Sequence, residues 1–529
     1  MFNTHAIPPS GSRRWLTLSV LCVATLMVNL DNTILNVALP TLVERLHATT
    51  DELEWIVDAY LMVFGGLLLV AGSLADRLGR RRLFLAGLVV FGGGSLGAAF
   101  SGGAEALIAW RCLMGAGAAM LIPAGLSIIN DVFRAPTERA RALGLWSATI
   151  GVGVAVGPVA GGALLAHFAW GSIFLVNVPV AALGLLGTLL VVPESRSPQP
   201  RRSDLIGAVL SVAGLALVLW AIIEGPSHGW SSAEVVTTLS CGVALMAGFV
   251  AHERRSDHPM LPVRYLQVRR FSVAMLALAL GIFALMGGLF LQTQFLQFFL
   301  AYSPFDAGLR MLPIAGALAV GAALSPPLGR VVGTRLSVAG ALLLVAGGLG
   351  QNFAVASLSV TYVAALPGMV LIGFGAGLLI PAAVDSVLGS VSQEDAGVAS
   401  ATNSTTLQVG GALGVAVMGS VIATRYQSSV HAALLGHHVP AAISQTILGS
   451  LGGALQVARS VGGQLGLGLA GVARGGFVLG EQAALVAAVA VTGAGALLAL
   501  AALPSLRPRH PASGAVDETE PPEPVRRVS

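Results

Sequence analysis

The sequence predicts an all-α polytopic membrane protein with fourteen transmembrane helices. Three observations carry that prediction. Of 529 residues, 55% are apolar and only 10% are charged, whereas a soluble domain carries about 25% charged residues. The apolar residues come in blocks of about 20, the length at which a helix spans a bilayer. The basic residues, all 29 of them arginine, gather in short clusters between the blocks, as positive-inside topology requires. So little charge excludes a soluble enzyme, a disordered scaffold and a nucleic-acid binder. The net charge of +4 implies no nucleic-acid partner. Cys22, Cys112 and Cys241 lie inside apolar blocks and read as small core residues. The ten histidines form no metal-binding cluster.

Residues 1–14 form a cytoplasmic N-terminus. The first block, 15–38, follows Arg13 and Arg14 and mimics a secretory signal. Asp31 within it, and the lack of a small-residue cleavage site, keep it in the mature chain. Blocks at 53–74, 83–101, 105–129, 141–166 and 172–193 complete an N-terminal six-helix bundle over 15–200. Blocks at 204–223 and 235–252 form an insert of two helices, 201–265. Blocks at 271–298, 306–328, 335–352, 360–383, 398–424 and 478–503 form a C-terminal six-helix bundle, 266–503. It includes a long, Gly-, Ala- and Leu-rich extracellular segment over 425–477, expected as an amphipathic hairpin. The tail 504–529 is rich in proline and acid, and its low apolar content predicts disorder.

With the N-terminus inside, 23 arginines fall in cytoplasmic segments. Four fall outside (Arg45, Arg425, Arg459, Arg474), and Arg111 and Arg310 lie within spans. That asymmetry predicts an even number of spans with both termini cytoplasmic. An internal repeat supports two halves. The turn after the second span reads Gly72-Ser-Leu-Ala-Asp76-Arg77-Leu-Gly79-Arg80-Arg81-Arg82. A worn copy, Leu328-Gly329-Arg330-Val-Val-Gly333-Thr-Arg335, stands at the matching place if the two inserted helices are set aside. Repeated halves around a central path are the signature of secondary transporters.

Polar groups inside spans carry the chemistry. An ionised Asp at mid-bilayer costs about 2.5–3.5 kcal/mol on insertion scales, so it needs a partner, a proton or water. At 1.5 Å per residue, Asp31 lies roughly 24 Å along the first span, Asp58 about 7–8 Å from the outer end of the second, and Arg111 about 9 Å into the fourth. One outer layer thus holds two carboxylates and a guanidinium, a set suited to a proton or a cation. Alternatively, Asp58 is an interfacial helix-start acid, and Asp31 makes a purely structural pair with Arg111. Trp55 shares a helix face with Asp58. It either holds an organic cation by cation–π attraction or belongs to the interfacial aromatic belt. Asp385, near the inner end of the twelfth span, is a further carboxylate that could also simply face water. The fifth span carries Gly153, Gly157 and Gly161 on one face, beside Pro158 and Gly162. Small residues permit close helix approach, and the proline favours a kink.

These motifs together resemble the fourteen-helix drug/proton antiporters of the major facilitator superfamily, in particular the quaternary-ammonium efflux pumps. The resemblance rests on Leu30-Asp31-Asn-Thr-Ile-Leu-Asn36-Val-Ala-Leu-Pro40, Trp55-Ile-Val-Asp58-Ala-Tyr60, the Gly72–Arg82 turn and Arg111-Cys-Leu-Met-Gly115-Ala-Gly117. Gly157-Pro158-Val-Ala-Gly161-Gly162, Phe174-Leu-Val-Asn177-Val-Pro179 and the stretch from Ala396-Gly397 to Gly410-Gly411 extend it over nearly the whole chain. The resemblance implies the major facilitator fold and a proton-coupled multidrug efflux antiporter in a bacterial plasma membrane, working as a monomer. It implies no cofactor, with protons as the coupling ion. Asp31, Asp58, Arg111 and Trp55 would couple protons and bind substrate. Gly72, Asp76, Arg77, Gly79 and Arg80 would form an inner gate, and the helix bearing Gly153, Gly157, Pro158, Gly161 and Gly162 would flex during exchange. Some quaternary-ammonium pumps carry further acids in later spans. Here Leu318, Asn403, Ser404 and Gln408 stand instead, which favours monocations or neutral lipophiles as cargo. The alternative on the same fold is a dedicated exporter of one endogenous antibiotic, siderophore or lipid. A membrane enzyme would need a nucleophile or metal cluster near an interface, and a channel would need no gate motif of this kind.

Overall fold

The computed structural model describes residues 11–196, 204–256, 263–391, 396–435 and 439–504. The expected disordered tail and the first ten residues lie outside the described residues. Every regular element among the described residues is helical. The first half comprises α1 (Gly11–Leu46), α2 (Thr50–Leu78), α3 (Arg80–Ala99), α4 (Ala104–Val132), α5 (Pro136–His167), a one-turn α6 (Ser172–Leu175) and α7 (Asn177–Val191). The insert is α8 (Leu205–His228) and α9 (Ala233–Arg255). After a one-turn α10 (Val263–Leu266), the second half comprises α11 (Arg269–Gln294) with a π-helical turn over Phe295–Phe299, α12 (Pro304–Val332), α13 (Thr334–Val355), α14 (Tyr362–Leu388) and α15 (Ala396–Leu434). It ends with the short α16 (Ala441–Gly449) and α17 (Leu451–Val461), then α18 (Gly463–Ala502). Thirteen helices are long and apolar enough to cross a membrane, and α2, bent by 52° between Leu68 and Val70, makes the fourteenth. The expected number of spans is therefore present.

Local chemistry sets the ends. Thr49 and Glu52 form a reciprocal capping box that starts α2. Ser232, Ser303, Thr361 and Ser450 accept from backbone N–H groups at the starts of α9, α12, α14 and α17. Gly79 and Gly333, at the two repeated turns, have φ of +114° and +83°. Both turns thus use the left-handed freedom of glycine, which is the structural content of the worn repeat.

In the first half α1 packs on α5 and α7, and α4 on α2 and α3. In the second, α11 packs on α15, α14 on α12 and α13, and α18 on α13 and α15. The halves meet along two seams, α5 with α12 and α2 with α15, and α8 lies against both α2 and α15. One end of the molecule gathers the arginines. There Arg14 pairs with Glu138 at 2.8 Å, and Arg270 donates to Gly389 O at 3.0 Å.

The region expected as one outer segment, 425–477, is mostly helix. α15 continues to Leu434, and α18 already begins at Gly463. No proline or acidic residue interrupts the chain from Gly463 to Gly480. Between them α16 and α17 sit opposite the arginine-rich end and touch both halves. Thr50 Oγ1 donates to Gly449 O at 2.8 Å, and the Tyr426 hydroxyl donates to Ile447 O at 2.8 Å.

Candidate functional site

Asp31 and Arg111 form one buried ion pair. Arg111 Nη1 donates to Asp31 Oδ2 at 2.6 Å, and their side chains are 0% and 1% exposed. Asn177 at the start of α7 donates to Asp31 Oδ1 at 2.7 Å and also approaches Ser95 Oγ of α3 at 3.4 Å. Arg111 Nε donates to Ile56 O at 2.9 Å, and its guanidinium lies 4.2 Å from the centre of the Tyr60 ring. Gly115 makes this possible, because a Cβ there would stand 2.6 Å from Tyr60 O. The first, third, fourth and sixth helices of the half thus supply one polar cluster, with α2 as its floor. Two charges so buried persist only because each is paired and hydrogen-bonded.

Asp58 does not join them. Ile56 and Tyr60 take the α4 side of α2, whereas Glu54, Leu61 and Gly65 meet α15 at Gly419, Gly411 and Gln408. At helical spacing Asp58 belongs to that second face, in the seam between the halves. Glu54 and Asp58 are both 0% exposed, and their carboxylate oxygens have no hydrogen-bond partner among the described residues. The insert closes this seam. Trp55 Nε1 donates to Glu224 Oε1 of α8 at 3.1 Å, and Ser227 donates to Asp51. Trp55 is therefore engaged by an acid of the inserted helix. Asp385 is exposed near the arginine-rich end of α14, apart from both groups.

The turn residues act within the first half. Arg80 donates to Asp76 Oδ1 from Nη2 at 2.9 Å and pairs with Asp131 of α4. Gly79 abuts Glu194, which accepts from Arg81 N and lies 3.5 Å from Arg82 Nε. Gly72 faces Pro123 of α4, and Arg77 is exposed.

The glycines of α5 line its contact with α1. A Cβ at Gly153 would come within 2.9 Å of Asn29 Cβ, at Gly157 within 2.9 Å of Thr33 Cβ, and at Gly161 within 3.1 Å of Ile34 O. Thr33 also donates to Gly153 O at 3.1 Å. Gly162 abuts Pro304 and Phe305 of α12, while Gly308 of α12 abuts Pro158. One face of α5 thus holds its own half together, and the next holds the other half. Beside this seam a cavity is lined by Thr33, Asn36 and Pro158 from the first half and by Leu285, Leu289 and Leu318 from the second.

Sequence reasoning missed Glu54, Glu224 and Glu481. Glu54 lies one turn before Asp58, a spacing that could have revealed it. Glu481 is the lone acid of the last helix; it fell inside the expected span 478–503, close to its start, where an acid reads as interfacial.

Two helical halves around a central cavity, with repeated glycine turns and a sealed intramembrane ion pair, define a secondary transporter of the two-bundle class. The family model of the Major Facilitator Superfamily matches residues 21–415, and the chain belongs to that superfamily. It is 35% identical to the multidrug efflux pump LfrA of Mycolicibacterium smegmatis, over 94% of this chain and 98% of that one. It is 32% identical to the methyl viologen resistance protein SmvA of Salmonella typhimurium, over 93% and 97%. Among solved structures it resembles a bacterial homologue of the human lysosomal transporter Spinster in an inward-facing, unoccupied conformation. That match has a TM-score of 0.66 and 18% identity, covering 94% of this chain and 100% of that one.

Proposed function

We propose that the protein is a proton-coupled multidrug efflux antiporter. It exports lipophilic and cationic compounds such as dyes, quaternary ammonium antiseptics and antibiotics across a bacterial plasma membrane. The observation that carries this reading is the sealed Asp31–Arg111 pair. An acid held at that depth has a strong effect on its half whenever its charge changes, because its partner guanidinium is then left unpaired. Relatives named for multidrug efflux and methyl viologen resistance, matched end to end, support the cargo.

The arginine-rich end faces the cytoplasm in this reading, with both termini there. The close approaches of α5 to α12, at Gly162, Pro158 and Gly308, lie toward the opposite end. The conformation described is then the one closed to the outside. Alternating access follows by rocking one half against the other. Outside, Asp31 takes a proton and loosens its hold on Arg111 and Asn177. Inside, the proton leaves and cargo enters the cavity. Asp58 provides a second proton site in the α2–α15 seam. One proton against one monocation moves no net charge. A second proton adds the electrical term, about 2.3 kcal/mol per 100 mV, or roughly 40-fold in accumulation.

The test is ethidium efflux in vesicles under an imposed pH gradient. The unmodified chain should pump, and Asp31→Asn should abolish pumping at equal expression. Undiminished, gradient-driven efflux in Asp31→Asn would overturn the reading.

A further inference from the structure

We propose that the second half holds a cation-binding subsite built from Gln292, Asn352 and Glu481, which takes the charged group of a lipophilic organic cation from the central cavity. The proposal rests on the efflux reading above and adds a residue-level place for its cargo.

The two halves place polar groups on corresponding helices. In the first half the cluster comes from its first, third, fourth and sixth helices: Asp31, Ser95, Arg111 and Asn177. In the second half the corresponding helices α11, α13, α14 and α18 bring Gln292, Asn352, Met369 and Glu481 to one pocket. Arg111 and Met369 even stand at the same distance from the starts of their helices. Two things differ. The carboxylate and the amide have exchanged places between the first and sixth helices. The guanidinium has become a thioether.

That exchange decides the chemistry. Asp31 is neutralised by Arg111 at 2.6 Å. Glu481 has no ion-pair or hydrogen-bond partner among the described residues, and no basic residue lines its pocket. The nearest candidate along α12, Arg310, is directed elsewhere. It stands 3.8 Å from the centre of the Tyr302 ring and 3.3 Å from Asp306. Gln292 is 8% exposed, and its Nε2 has no hydrogen-bond partner among the described residues; neither has Asn352 Oδ1. Buried polar atoms left unmatched in this way are costly unless something fills the site.

The pocket also has an approach. Leu285, Leu289 and Ile314 line both it and the cavity between the halves. An organic cation can therefore keep its apolar body among those side chains while its charge reaches Glu481 and Asn352 Oδ1, with the Met369 sulfur as a polarisable contact. Away from water such a charge pair is much stronger than in solution.

The experiment measures equilibrium binding of tetraphenylphosphonium, a permanent cation, and of uncharged triphenylphosphine oxide, to the full chain in lipid nanodiscs. Glu481→Gln should weaken tetraphenylphosphonium binding at least tenfold and leave the uncharged ligand within twofold. Glu481→Asp should restore at least part of the loss. Unchanged cation binding in Glu481→Gln overturns the proposal. So does equal loss of both ligands, or an unmodified chain that binds no tetraphenylphosphonium. The efflux reading is judged separately, in vesicles. If the unmodified chain pumps ethidium and Glu481→Gln binds normally, only the subsite falls. If the unmodified chain pumps nothing, the efflux reading falls whatever Glu481 does.

Discussion

The Asp31–Arg111 pair is the most deeply buried ion pair among the described residues. Removing one member of a buried pair leaves the other charge unpaired, at about 3–5 kcal/mol. Arg111→Ala should therefore lower the melting temperature in detergent and stop efflux, whereas Arg111→Lys, which keeps the charge and loses the fork, should recover part of the stability. Equal melting temperatures for Arg111→Ala and the unmodified protein would contradict the burial described. Asp58 is a different case. It has no donor to lose, and it stands in the seam between the halves. As the second proton site, Asp58→Asn should keep efflux driven by a pH gradient and lose its stimulation by an inside-negative potential. Vesicles with separately imposed gradients measure both. Efflux that still accelerates with potential in this variant would remove Asp58 from the coupling. The sequence revealed Asp31, Asp58 and Arg111 at similar depths because depth follows from residue count and helical rise. It did not reveal that Asp58 turns away, since the facing of α2 is set by which neighbours pack on it.

Two close-packed features of the elements invite substitution. Gly157 holds α5 against α1, where a side chain would meet Thr33 Cβ at 2.9 Å even as alanine. Gly151, on the same helix, has open space around it. Gly157→Leu should cut efflux more than tenfold while Gly151→Leu leaves it within twofold, both read by dye extrusion at matched expression. Similar behaviour of the two variants would argue against a packing role. Gly79 is held at φ +114° with Glu194 beside it. Gly79→Ala combines backbone strain of about 1–3 kcal/mol with that steric conflict. It should lower the melting temperature more than Gly93→Ala, whose position is open. The elements themselves were readable from apolar blocks and arginine clusters. Their ends were less so. A block marks the part of a helix that is greasy enough, whereas α1, α15 and α18 run on into less apolar sequence because tertiary contacts stabilise it.

Across the whole molecule the halves are held at the end away from the arginines by the α5–α12 and α2–α15 seams and by α16 and α17. A Cβ at Gly452 of α17 would stand 2.8 Å from Val43 of α1. In a Cys241→Ser background, which removes the exposed native thiol, the pair Val43→Cys and Gly452→Cys should form a disulfide that arrests efflux, and reduction should restore it. Efflux that continues with the bridge intact would show that this end does not open during transport. The inserted α8 and α9 acquire a structural role at this scale. α8 covers the α2–α15 seam, and its Glu224 receives the Trp55 N–H, so two unpartnered carboxylates are shielded there.

Composition and the length of the apolar blocks determined that this chain is a bundle of fourteen spanning helices, because a bilayer leaves the backbone of a greasy chain little choice but helix, and the repeated glycine turn marked its two related halves. Motifs in single helices marked the glycine turns, the α5 glycine face and the intramembrane acids. Only the tertiary structure decided which acid meets the arginine, which faces the seam, and which, on the last helix, stands beside the cavity with no counter-charge. Those outcomes depend on the rotation of each helix about its own axis. That rotation is set by side-chain packing between segments far apart in the chain, and local sequence does not encode it.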